Sequence, residues 1–171
     1  MILQIKDQLD ATRAQLLQEI KLLSDTQFND KPDEQNWSIA QICHHLILVE
    51  EATRKAVAWG LKTQEQSSPA RMDLRHLLDR TRKFQAPAIV EPSEDTFHVQ
   101  KMLELLATTR TNFLTFLETL VDTEILAKHS VKHPALGECP LDQWIEQIYY
   151  HEQRHIQQIQ EIKNSWPQVQ N

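Results

Sequence analysis

Four stretches of this chain repeat apolar residues at steps of three and four, and a stripe of that kind must be buried against other elements. In the first, Ile2, Ile5, Leu9, Thr12, Leu16, Ile20 and Leu23 share a face, which predicts a helix over residues 2–25. In the second, Ser38 and Gln41 have the spacing of a capping box, with Trp37 before them as a hydrophobic staple. Its stripe runs through Ile42, His45, Leu46, Val49, Ala52 and Ala56, with a stop expected near Gly60. The third follows Ser93 as cap and carries Val99, Met102, Leu103, Leu106, Thr109, Phe113, Phe116, Leu117 and Leu120. The fourth opens at Pro140, a favoured first-turn residue, and keeps Trp144, Ile145, Ile148, His151, His155, Ile159 and Ile162 in helical spacing to about Asn164. No segment alternates apolar and polar residues long enough to suggest a sheet. The expected fold is all-α, a four-helix bundle.

The connections differ in length. Leu61 to Pro92 reads as a long crossover, broken at Ser67-Ser68-Pro69 and carrying a short helix over Met72–Phe84, which could make the second and third helices parallel. Val121 to Cys139, with Pro134 and Gly137, reads as a loop. The 171 residues suffice for one core, so residues 1–171 are read as a single domain.

Composition excludes several classes of function. Gly60 and Gly137 are the only glycines, so the Gly-rich phosphate loops of nucleotide-binding folds have no counterpart. Lys and Arg number 18 against 24 Asp and Glu, a net charge of −6 with no basic stripe, which argues against nucleic acid as partner. The longest strictly apolar run is four residues, as in Leu46 to Val49, so neither a membrane span nor a secretory leader is expected. Two distant cysteines, Cys43 and Cys139, give no disulfide framework, and a reducing cytoplasm is the expected compartment.

Three histidines interrupt the stripes. His151 and His155, four apart, project from the apolar face of the last helix, and His45 lies between Ile42 and Val49 on the second. His44 points about 100° away, toward Glu51 and Lys55. Buried imidazoles need partners for both ring nitrogens. They are either hydrogen-bonded core residues or ligands of a divalent ion that leaves positions open for water or substrate. His76, His98, His129 and His133 fall on expected surface or loop positions.

His151-Glu152-Gln153-Arg154-His155 is also a literal H-E-x-x-H, the zincin signature with Glu as general base. The longer zincin form fails at Gln158, and only 16 residues follow His155 in which a further ligand could occur. A peptidase is therefore set aside, while Glu152 stays a candidate for orienting a ligand or moving a proton, against the alternative of a solvated helix charge. Cys43 lies about 200° round the helix from His45, which excludes a nucleophile and base pair, and Cys139 at the start of the last helix is expected to be exposed.

Trp37-Ser38-x-x-Gln41-x-x-x-His45-Leu46, His133-Pro134-x-x-Gly137, and Trp144 through His151-x-x-x-His155 resemble the DinB/YfiT-like family over nearly the whole chain. The resemblance implies a down-up-up-down four-helix bundle, often a homodimer, holding zinc or nickel on His45, His151 and His155. Characterised members include bacillithiol-dependent thiol S-transferases and a mycothiol-dependent isomerase. A metal-dependent enzyme follows as an expectation, one that transfers a low-molecular-weight thiol to a small-molecule electrophile or hydrolyses a small substrate. The alternatives are a non-catalytic, stress-associated bundle with a structural metal, and a metal-free bundle that binds an apolar ligand or a partner.

Overall fold

The four apolar stripes become four long helices in the computed structural model, which describes residues 2–63, 67, 70–120 and 124–167. These helices are α1 (Ile2–Ile20), α3 (Ile39–Thr63), α4 (Val99–Glu118) and α6 (Leu141–Ser165), with two short ones between them, α2 (Asp25–Asn29) and α5 (Ile125–Lys128). Ser68, Pro69 and Val121 of the predicted connections lie outside the described residues.

Two apolar clusters show how the helices run. One joins Leu16 and Ile20 at the end of α1, Ile39 and Ile42 at the start of α3, Val99 and Met102 at the start of α4, and Ile159 and Ile162 at the end of α6. The other joins Ile5 and Leu9, Val57, Phe113 and Leu117, and Trp144 and Ile148, from the opposite ends of the same four helices. Hence α1 and α6 run one way and α3 and α4 the other, which is the down-up-up-down arrangement. Helix α3 packs on both α4 and α6, and α1 packs on α6.

Capping explains most of the boundaries. Ser38 and Gln41 form the predicted box, with Gln41 N donating to Ser38 Oγ at 3.2 Å and Ser38 N to Gln41 Oε1 at 3.1 Å. Helix α1 stops at Ile20, short of the predicted residue 25, and Ser24 opens α2 through a second capping box with Gln27. Ser93 is not the cap of α4. The helix begins at Val99, whose N–H donates to Asp25 Oδ1 at 2.8 Å, so α2 supplies the cap from a distant part of the chain. Gly60 does not end α3. A Cβ there would stand 2.7 Å from Val131 Cγ2 and 2.8 Å from Leu141 Cδ2, so glycine permits close packing in mid-helix.

Two elements correct the expectation of a loop-joined, sheet-free bundle. Residues 130–140 form an antiparallel hairpin, β1 (Ser130–His133) and β2 (Gly137–Pro140), in which Val131 pairs with Cys139 and His133 with Gly137. Each strand has four residues, too few for alternation to stand out, and Trp144 of α6 fastens the hairpin by donating Nε1–H to Val131 O at 2.9 Å. Gly137 takes φ +72°, a conformation suited to glycine at this turn. The predicted helix over Met72–Phe84 is instead a 3-10 turn at Leu74–Leu78, followed by another at Ala88–Val90. No helix among the described residues is long and apolar enough to cross a membrane.

Candidate metal centre

The facing surfaces of α3 and α6 carry the three stripe histidines, and the parallel run of the two apolar clusters brings them to one level of the bundle. His151 Nε2 lies 3.3 Å from His45 Nε2 and 3.2 Å from His155 Nε2. One ligand atom from each ring falls within 4.8 Å of the others. Two nitrogens bound to one ion at about 2.1 Å stand about 3.4 Å apart at a tetrahedral angle, so the His151–His45 and His151–His155 spacings fit a single small cation.

The outer ring nitrogens fix which way these rings face. His45 Nδ1–H donates to Val90 O at 2.6 Å, and His155 Nδ1–H donates to Gln158 Oε1 at 2.8 Å. Both Nε2 atoms are thereby left as lone pairs directed at His151, the pattern in which an outer partner sets the tautomer of a metal-binding histidine. Burial pushes all three rings toward the neutral form. His45 is held below its ordinary value, His151 well below it by burial and the adjacent His155 and His45, and His155 falls to about 3. Neutral, converging lone pairs with few protons to share suit a divalent cation.

A cavity of about 360 Å³ opens from these rings along the groove between α3 and α6. Val49, Ala52 and Ala56 line its α3 side, Gln147 and Trp144 its α6 side, and the crossover covers it through Leu77, Phe84 and Val90. Arg154, next to His155, holds that cover in place by donating to Leu77 O at 3.0 Å, Asp79 O at 2.6 Å and Arg82 O at 2.5 Å, with Phe84 beneath its guanidinium at 5.2 Å. Trp37 does more than brace the first turn of α3, since its ring lies 4.9 Å from that of His45 and lines the cavity.

Glu152 is placed differently from the expectation that it orients a ligand or moves a proton at the metal. It is buried on the bundle axis, where Arg13 Nε donates to Oε1 at 2.7 Å, Arg110 Nη2 to Oε2 at 3.1 Å and Thr12 Oγ1 to Oε2 at 2.5 Å. Glu50 completes the set, accepting from Arg13 Nη2 at 2.9 Å and from Arg110 Nε. Burial raises the Glu152 pKa, but the two guanidiniums outweigh it and hold the carboxyl below its usual range. The sequence reading missed this network although its signal was present. Arg13, Glu50, Arg110 and Glu152 each continue an apolar stripe, one charge per long helix and two of each sign.

Other residues also depart from expectation. His44 accepts from Ser93 N at 3.0 Å and packs on Phe97, with Glu51 close enough to act on its charge. His129 lies in a connection as expected but is buried, and His133 lines the cavity from a strand, where surface or loop positions were expected. Cys139 is buried with its thiol pushed up to about 12, and burial pushes the Cys43 thiol up as well, so neither is a ready nucleophile.

Residues 8–159 match the family model of the DinB superfamily. The chain belongs to the DinB superfamily. Among its relatives is the uncharacterized protein YuaE of Bacillus subtilis, 29% identical over 151 residues, which span 88% of this chain and 92% of YuaE. Two solved structures share the fold. YfiT from Bacillus subtilis, described as a probable metal-dependent hydrolase with an unusual four-helix bundle topology, aligns with a TM-score of 0.65 and 18% identity over 96% of this chain and 87% of its own. The four-helix bundle protein TT2238 aligns with a TM-score of 0.62 and 19% identity over 92% and 97%. The DinB fold thus accounts for the four-helix bundle.

Proposed function

We propose that His45, His151 and His155 hold a divalent ion, zinc or nickel, and that this chain is a metal-dependent transferase joining a low-molecular-weight thiol to a small electrophile in the cavity. One observation carries the reading: three Nε2 atoms converge at the end of an apolar cavity whose lining, among the described residues, includes no Asp or Glu. When bound, such an ion acts as a Lewis acid and lowers the pKa of a thiol or water, so that no protein carboxylate is needed as base.

The chain's own residues do the rest. Val90 O and Gln158 hold the His45 and His155 rings so that their lone pairs face inward. Val49, Ala52 and Ala56 exclude water and hold the apolar part of the electrophile against the nucleophile. In the transfer the thiolate sulfur bonds to the electrophilic carbon, and the electron pair of the broken bond leaves with the departing group. Hydrolysis is the second reading, favoured by the description of YfiT as a probable metal-dependent hydrolase.

Elemental mass spectrometry of untagged protein, as purified and after incubation with zinc or nickel, tests the ion. About one equivalent is expected in the wild type and none in His45→Ala or His151→Ala, and a wild type without metal overturns the reading. Metal-dependent consumption of cysteine in the presence of 1-chloro-2,4-dinitrobenzene assigns transfer. Metal-dependent release of p-nitrophenol from its acetate without thiol assigns hydrolysis. Metal without either leaves the ion as a tie between α3 and α6.

A further inference from the structure

His133 lines the cavity, and its ring is held by two hydrogen bonds and one aromatic contact. Its Nδ1 accepts from Ala135 N at 3.1 Å and from Leu136 N at 3.2 Å, so in the neutral ring the proton must sit on Nε2. The ring stands edge-on to Trp144 at 4.3 Å, and Trp144 is itself held by Val131 O. Both of these hydrogen bonds use Nδ1, leaving them no call on Nε2–H. Burial lowers its pKa to about 4, which keeps the ring a neutral donor at ordinary pH.

His133 and the three-histidine cluster line the same cavity. A ligand in the cavity therefore meets the cluster and the His133 ring within a mostly apolar lining that also carries Thr53, Gln85, Lys132, Gln147 and Arg154. A few placed polar groups in an apolar pocket are what orients a bound small molecule.

We propose that His133 Nε2–H is a substrate anchor, and that the cavity selects small, mostly apolar molecules bearing one acceptor oxygen. This deepens the reading of the cavity as an active site and rests on it for the word substrate, but binding itself does not require the ion. Arg154 is committed to the cavity cover, with three of its five N–H groups donated to backbone carbonyls.

The test uses full-length, metal-free protein and two probes of equal shape, 4-phenyl-2-butanone and butylbenzene, with binding followed by NMR titration. The wild type should bind the ketone roughly fivefold more tightly than the hydrocarbon, the contribution of one neutral hydrogen bond. His133→Phe keeps an aromatic ring against Trp144, and His133→Asn keeps a side-chain acceptor for the turn. Both should lose the preference while still binding butylbenzene, and long-range proton–nitrogen spectra of the wild type should show the Nε2–H tautomer. Equal binding of both probes to wild type, no binding of either, or a preference that survives in both variants would overturn the proposal. Metal content measured on the same variants should match wild type, so a protein that takes up no metal fails the enzyme reading without touching this one.

Discussion

Glu152 follows His151 directly in α6, yet the two side chains serve different faces of the helix: His151 turns to the cavity and Glu152 to the bundle axis between Arg13 and Arg110. The roughly 100° advance per residue makes this separation unavoidable, and it divides the H-E-x-x-H pattern into two ligand candidates and one structural charge.

Removing that charge should cost stability and leave metal uptake intact. Glu152→Ala leaves two nearly fully buried guanidiniums sharing the one carboxylate of Glu50, and removing one partner from a buried charge network in this way costs about 3–5 kcal/mol. Chemical denaturation should show the loss, and metal content per folded molecule should stay at the wild-type value. A variant with wild-type stability would contradict the geometry.

The histidines set a pH dependence. In the metal-free protein His155 and His133 have folded pKa values of about 3 and 4, against an ordinary value of 6.5. Between those values the unfolded chain binds more protons than the folded one, so stability falls as pH falls. The expected profile, read as Tm in the presence of a chelator, is level in its histidine contribution above about pH 7.5 and declines from pH 6.5 toward 4. The Glu152 carboxyl, held below its ordinary range, adds a loss of the same sign at lower pH. His155→Gln should flatten the upper part of the decline.

Arg154→Met should loosen the cavity cover without removing the ligand histidines. The three carbonyls that Arg154 binds, at Leu77, Asp79 and Arg82, lose a charged donor, a class of bond worth about 1.5–3 kcal/mol. Hydrogen exchange across residues 74–84 should speed up while that of α1 and α4 stays as in wild type.

Gly60→Ala tests the close approach of the hairpin to α3. Alanine gains about 1 kcal/mol of helix propensity. Its Cβ would fall within 3 Å of Val131 Cγ2 and Leu141 Cδ2, and overpacking typically costs about 1–3 kcal/mol. A lower Tm is expected, where an open site would give a higher one.

The four stripes, the Ser38 and Gln41 box and the inward-facing histidines were legible because helical period and capping are local signals. What escaped was long-range or too short. Asp25 caps α4 across more than seventy residues, and no local pattern announces that. The hairpin takes its hold from Trp144, and His133 enters the cavity only because that hairpin docks. Glu152 was read with its neighbours in the motif rather than with Ile148 and Ile156 on its own face, where the charge of α6 lines up with those of the other three helices.

The belt of Arg13, Glu50, Arg110 and Glu152 lies between the two apolar clusters, one residue from each long helix at the same height. It works as an index mark. A helix that slid by one turn, about 5.4 Å, would carry its charge into a layer of leucine and isoleucine and leave its partners uncompensated. Greasy surfaces alone tolerate such slippage, whereas a single polar layer penalises every wrong alignment at once. The same mark that holds the helices in step also fixes the height at which His45 meets His151 and His155.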